Sequence, residues 1–171
     1  MLISTKMNAA LNEQIGNEFN ASLQYVATAA YFDPEGLPEL AAHFYRQAEE
    51  ERAHAMRIVK YVVDAGGRIE IPAIAAHPSS FASAEQAVQT ALDGEIAVTG
   101  QINGLLDLTT RENDHITHTF LQWFTAEQLE EVSSTDTLLR IVQRAGKDLL
   151  HVEEYLARHK RLPAATNQNA G

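Results

Sequence analysis

The sequence predicts an all-α fold: a four-helix bundle with one long crossover and a short fifth helix at the C-terminal end. Three observations carry that prediction. Strand signals are nearly absent. Four long segments place apolar residues at helical spacing, with turn chemistry between them. One connection is long enough to run back along a whole helix, and the others are not.

The first helix is expected over about Thr5–Phe32, stopped by Asp33-Pro34-Glu35-Gly36. The second runs from about Pro38 to Ala65. Pro38 suits a first-turn position, where its missing N–H is no loss, and Gly66-Gly67 ends the segment. The third begins near Ser83, where Ser83-Ala84-Glu85-Gln86 reads as a capping box, and continues to about Arg111. The fourth opens at Asn113-Asp114, both competent caps, and reaches about Ala145, where Gly146 breaks it. A fifth, shorter helix is expected over about Lys147–Lys160. One domain thus covers 1–162, and the small, polar tail 163–171 is expected to be disordered.

The connection Gly66–Ala82 holds Pro72 and Pro78 and is unusually long for a compact domain. A helix of about 28 residues is about 42 Å long at 1.5 Å per residue. An extended loop of about 16 residues spans about 53 Å. The connection can therefore return along the bundle and make the second and third helices parallel, whereas the two short connections join antiparallel neighbours.

Composition narrows the function classes. The chain has 171 residues, of which 45% are apolar and 21% charged, as expected of a globular domain with a substantial core. It has no cysteine, which excludes disulfides, thiolate zinc sites and cysteine nucleophiles. Its formal net charge is -10 and its 13 Lys and Arg are scattered, which argues against nucleic acid and suits cations as partners. No run approaches the ~18 apolar residues of a membrane span, so no membrane partner is expected. Met1–Lys6 contains no apolar stretch of signal-peptide length, and a cytoplasmic location is the expectation.

The inward stripes carry the chemistry. Read at alternating steps of three and four, the first helix gives Leu11, Ile15, Glu18, Ser22, Tyr25 and Ala29. The second gives Leu40, Phe44, Gln47, Glu51, His54, Ile58 and Tyr61. The third gives Val88, Ala91, Glu95, Val98, Ile102 and Leu105. The fourth gives Leu121, Phe124, Gln128, Glu131, Thr135, Leu138 and Val142. Each stripe is mostly apolar and is interrupted by an acid near its middle. In a bundle of aligned helices those middles share one level, so four carboxylates and one imidazole converge.

Taken singly, a mid-helix glutamate is usually solvated, His54 would be a structural histidine, and Tyr25 and Trp123 would be core. Together they are not accounted for so simply. Buried carboxylates at one point repel and protonate unless something positive joins them. No stripe offers a Lys or Arg at that level, and Arg52 points off its stripe. A pair of hard or borderline cations, held by oxygen ligands and one nitrogen, satisfies the pattern. A shared carboxylate would hold the ions about 3.5–4 Å apart.

Four segments also resemble the non-haem bacterial ferritins: Asn17-Glu18-Phe19-Asn20-Ala21-Ser22-Leu23-Gln24-Tyr25, Glu49-Glu50-Glu51-Arg52-Ala53-His54, Glu95 in the third helix, and Trp123-Phe124-Thr125-Ala126-Glu127-Gln128-Leu129-Glu130-Glu131. The resemblance covers about residues 5–160 and implies a ferritin-like bundle. Many di-iron bundles of this kind carry two Glu-x-x-His motifs. Here the first is present as Glu51-x-x-His54, while the fourth helix offers Gln128-x-x-Glu131 and Glu127-x-x-Glu130. Bacterioferritins place a haem-ligating methionine directly after the helix-two glutamate, where this chain has Arg52, so no haem is expected.

The resemblance implies iron as the metal. It implies a first site from Glu18, Glu51 and His54 with Gln128 near the bound oxygen species, and a second from Glu51, Glu95 and Glu131 with Glu51 bridging. A third, weaker site would come from Glu50, Glu127, Glu130 and also Glu131. Tyr25 matches the tyrosine beside the centre, and Trp123 also matches the family. The implied activity is a ferroxidase that oxidises Fe(II) with O2 or H2O2 and stores ferric oxyhydroxide in a cage. The implied cage is a homo-oligomer of twenty-four subunits, with the fifth helix near its four-fold axes. His115 and His118 would lie near the three-fold pores or be ordinary surface residues. Competing readings are a DNA-protecting miniferritin, a di-iron oxidase acting on an organic substrate without a storage role, and a metal-free structural bundle.

Overall fold

The computed structural model describes residues 2–159, which form five helices and no strand. The helices are α1 (Thr5–Phe32), α2 (Pro38–Asp64), α3 (Ala84–Glu112), α4 (His115–Ala145) and α5 (Leu150–Arg158). Their ends follow the local chemistry. Ser4 Oγ accepts the Met7 N–H at the start of α1, and Ser83 Oγ accepts the Gln86 N–H at the start of α3. The Gln86 side chain reaches back to the Ala82 N–H at 2.6 Å, closing the predicted box one residue early. Asn113 ends α3 in the left-handed region at φ 56, and Asp114 caps α4 by accepting the Thr117 N–H. Gly146 stops α4 at φ 58.

The crossover can be followed along α1. Asn8 and Asn12 both donate to the Arg68 carbonyl, and Asn12 accepts the Glu70 N–H at 2.7 Å. Pro72 lies against Gly16, so close that an added Cβ on that glycine would fall 2.3 Å from the proline Cγ. Phe81 stacks edge-on against Tyr31 at the far end. The chain therefore leaves α2 beside the N-terminus of α1 and enters α3 beside its C-terminus. Helices α2 and α3 are parallel, as the loop length predicts.

Two apolar clusters fill the bundle. One is built on Phe32, Leu40, Phe44, Val88, Leu138 and Val142, the other on Met7, Leu11, Ile58, Ile102, Leu121 and Phe124. All the predicted stripe residues are buried except Tyr61, which is half-buried while its neighbour Val62 is fully enclosed. A helix of 3.6 residues per turn drifts off a 3.5-residue repeat, and by Tyr61 the inward face has moved on by one position.

The fifth helix is shorter than the predicted Lys147–Lys160, because Gly146 is followed by a turn before Leu150. Lys160 and the expected tail lie outside the described residues. Val152 and Leu156 of α5 join the first apolar cluster. Glu153 accepts the Glu39 and Leu40 backbone N–H groups at 2.8 and 2.9 Å. Helix α2 has no side-chain cap of its own, so this carboxylate supplies one and meets the positive end of the helix dipole. No helix among the described residues is long and apolar enough to cross a membrane.

Candidate metal centre

Between the two apolar clusters lies a polar layer. Glu18, Glu51, His54, Glu95, Gln128 and Glu131 are each at most 5% exposed, and Tyr25 is 3% exposed. Four helices contribute, and the sequence reason is the same in each: polar side chains take the middle positions of a stripe whose two ends are apolar. Among the described residues, Glu18, Glu51 and His54 bring their ligand atoms within 4.8 Å of one another. His54 Nδ1 lies 3.2 Å from Glu51 Oε2. The imidazole is walled edge-on by Trp123 and Phe124, and the Arg57 guanidinium sits 4.0 Å over the Trp123 ring.

The electrostatics are unfavourable for bare carboxylates. Burial, reinforced by the charge of Glu51, pushes Glu18 up to about 8. Burial and the charges of Glu50 and Glu95 push Glu131 up to about 7. Glu51 is driven well above the usual carboxylate range by burial and by Glu95. The Tyr25 phenol is raised by burial and then by Glu95, to which it donates. Glu18 Oε2 and Glu51 Oε1 are buried without a hydrogen-bond donor among the described residues. Such oxygens must share a proton or a cation. Two carboxylates with one imidazole suit a divalent transition ion.

The remaining predicted residues are placed less uniformly. Glu95 has both oxygens engaged, one by the Tyr25 hydroxyl and one by Gln128 Nε2 at 3.2 Å. Gln128 also donates to the Glu95 carbonyl and to Thr99. Glu131 accepts from Gln47 Nε2 at 2.8 Å. Glu95 and Glu131 therefore face the same layer but are not drawn into the tight group around His54. Glu50 and Glu127 are half-buried and Glu130 is exposed. Glu50 and Glu130 line one groove of about 700 Å³ between α2, α4 and α5. His115 is exposed, and His118 bonds to the Thr109 hydroxyl at 2.8 Å.

Two neighbours of the centre carry no role in the sequence reading. Arg57 is one. Gln14 is the other: it is 2% exposed and donates to Glu18 Oε1 at 2.8 Å. Gln14 falls off the α1 stripe read at steps of three and four. The available signal is its position four residues before Glu18, one helical turn away.

A bundle of four helices with one long crossover, holding carboxylates and an imidazole at mid-height, defines a ferritin-like metal-binding bundle. Comparison with known proteins agrees. Residues 8–145 match the ferritin family through its ferritin-like domain. The chain is 46% identical to ferritin BfrB of Mycolicibacterium smegmatis over 156 residues, 91% of this chain and 86% of that one. It is 35% identical to the bacterial non-heme ferritin of Staphylococcus aureus, covering 86% of this chain and 89% of that one. An open-pore ferritin of the hyperthermophilic archaeon Archaeoglobus fulgidus superposes with a TM-score of 0.90 at 34% identity, covering 94% of this chain and 99% of that one. The chain belongs to the ferritin family, and that membership supports a role in iron storage.

Proposed function

We propose that this chain is a ferroxidase subunit of a homo-oligomeric iron store, with Fe(II) as substrate and O2 or H2O2 as oxidant. One observation carries the reading: Glu18, Glu51 and His54 converge in a buried layer and leave two carboxylate oxygens without donors. These three residues are the first Fe(II) site. Glu51, Glu95 and Glu131 are the second, with Glu51 shared. Two Fe(II) ions give up two electrons, which with two protons take O2 to H2O2, or H2O2 to two waters. Carboxylate oxygens favour Fe(III) over Fe(II) and make the oxidation downhill.

Gln128 lies near the oxidant with its Nε2 holding Glu95 Oε2, and Tyr25 holds Glu95 through its hydroxyl. Glu50, Glu127 and Glu130 are a weaker third site, through which ferric product leaves toward the store. Arg52 is exposed and has no haem-ligating chemistry, so the centre works without haem. Assembly is supported by the apolar side chains the single chain leaves out: Leu23, Val26, Met56, Val63 and Ile96 are each 42–57% exposed. Partner subunits would cover them.

The test is anaerobic Fe(II) titration of the apo protein, followed by oxygen. At least two ions per chain are expected in protected sites, with fast oxidation on mixing. Glu51→Ala removes the shared ligand and should abolish the fast phase while far-UV circular dichroism stays helical. Fast oxidation surviving in that variant refutes the bridge.

A further inference from the structure

We infer that Gln14 is a positioning residue that holds Glu18 as a single-oxygen metal ligand. The inference rests on the centre proposed above and concerns a residue outside its ligand set. Gln14 Nε2 donates to Glu18 Oε1 at 2.8 Å, and Glu18 Oε2 is the oxygen left without a donor. One carboxylate is thereby divided into an oxygen fixed by the protein and an oxygen turned to the ion.

The amide is itself held. Its carbonyl oxygen accepts from Asn17 Nδ2 at 3.3 Å, and its nitrogen lies 3.4 Å from Gln101 Oε1 on α3. These contacts decide which end of the amide faces Glu18. The reverse orientation would set a carbonyl oxygen against a carboxylate oxygen. Gln14 is 2% exposed, so bulk water does not compete for this bond. Gln47 makes the corresponding bond to Glu131 Oε2, but from α2 across to α4, where it also ties two helices together. Gln14 makes its short bond within one helix and reaches α3 only through the longer 3.4 Å contact with Gln101, so its loss falls first on the ligand.

Without the amide, Glu18 can turn both oxygens to the ion. Coordination number rises and the first site loses its preset geometry. Partners of this kind usually matter by about ten- to hundred-fold in metal affinity. The probe is Co(II), which reports coordination number through its visible absorption and needs no oxidant.

Apo protein and Gln14→Met, an unbranched replacement of similar volume, are titrated with Co(II) under argon. The first ion is expected to bind roughly ten-fold or more weakly in the variant, with weaker visible bands as the ion gains a ligand atom. The second ion keeps its affinity. In a Glu18→Ala background the same Gln14 substitution is expected to change nothing further.

Equal first-ion affinity and an unchanged spectrum in Gln14→Met overturn the proposal. Gln14→Leu is the alternate variant, and failure of both to fold would assign Gln14 to folding and overturn it too. Wild-type protein that binds no Co(II) in protected sites would instead remove the metal centre itself, a separate result from a wild type that binds and a variant that binds equally.

Discussion

Glu18 answers to two opposing requirements, and pH separates them. In the apo chain its carboxyl is held up at about 8, first by burial and then by the Glu51 charge, against an ordinary value near 4.5. Glu131 sits at about 7 for similar reasons. The folded apo protein therefore binds more protons than the unfolded chain between about pH 4.5 and 8. Stability from these groups is fully present below the lower limit and is lost as pH rises through the window. Thermal denaturation in EDTA should give a Tm several degrees lower at pH 8.5 than at pH 5.5. Glu18→Gln, neutral throughout, should flatten part of that slope. With Zn(II) the sign reverses, because the ion needs the deprotonated oxygens and binding releases protons. An apo Tm that rises over this range, or equal slopes in the two proteins, would contradict a buried, proton-sharing centre.

At the scale of elements, the crossover is fixed to α1 by a sequence of contacts that includes the close approach of Gly16 to Pro72. A methyl at position 16 would fall 2.3 Å from the Pro72 Cγ, and a proline ring cannot swing aside. Gly16→Ala should therefore cost about 1–3 kcal/mol through overpacking, although alanine is the better helix former. Adding Pro72→Ala should return most of it in chemical denaturation. If Gly16→Ala stabilises the protein, the crossover does not lie where the structure puts it.

This contact shows where sequence reasoning ends. The length of the connection was enough to predict a return along the bundle, because only reach was at issue. Which face of α1 it follows depends on particular contacts, the Asn8 and Asn12 bonds and the Gly16–Pro72 approach, that no spacing rule contains. The same division holds elsewhere. Glu18, Glu51, Glu95 and Glu131 stand out because each interrupts an apolar stripe. Gln14 does not, because a polar residue off the stripe looks like surface until Glu18 is seen beside it. Val62 replaces Tyr61 inside because a fixed repeat drifts over the about six turns from Leu40. The start of α5 at Leu150 follows from the turn after Gly146 and from Glu153 finding the open end of α2, a partner 113 residues away.

For the whole molecule, the distribution of apolar surface decides the next question. The core is divided into two clusters by the polar layer, so no single continuous core stabilises the chain. At the same time Leu23, Val26, Met56, Val63 and Ile96 spread over α1, α2 and α3 and stay 42–57% exposed. A polar layer that weakens the centre and apolar residues left outside are complementary features. Burial between subunits would recover stability that the carboxylates withhold inside. The chain should then be assembled even without metal. Analytical ultracentrifugation of apo protein should find a closed species, near roughly 450 kDa for twenty-four copies of an 18.9 kDa chain. Changing Leu23 and Met56 together to glutamate should release smaller species that keep their helix content but melt at lower temperature. A wild-type monomer that is fully stable at micromolar concentration would leave the exposed residues without a purpose, and would separate the metal centre from storage in a cage.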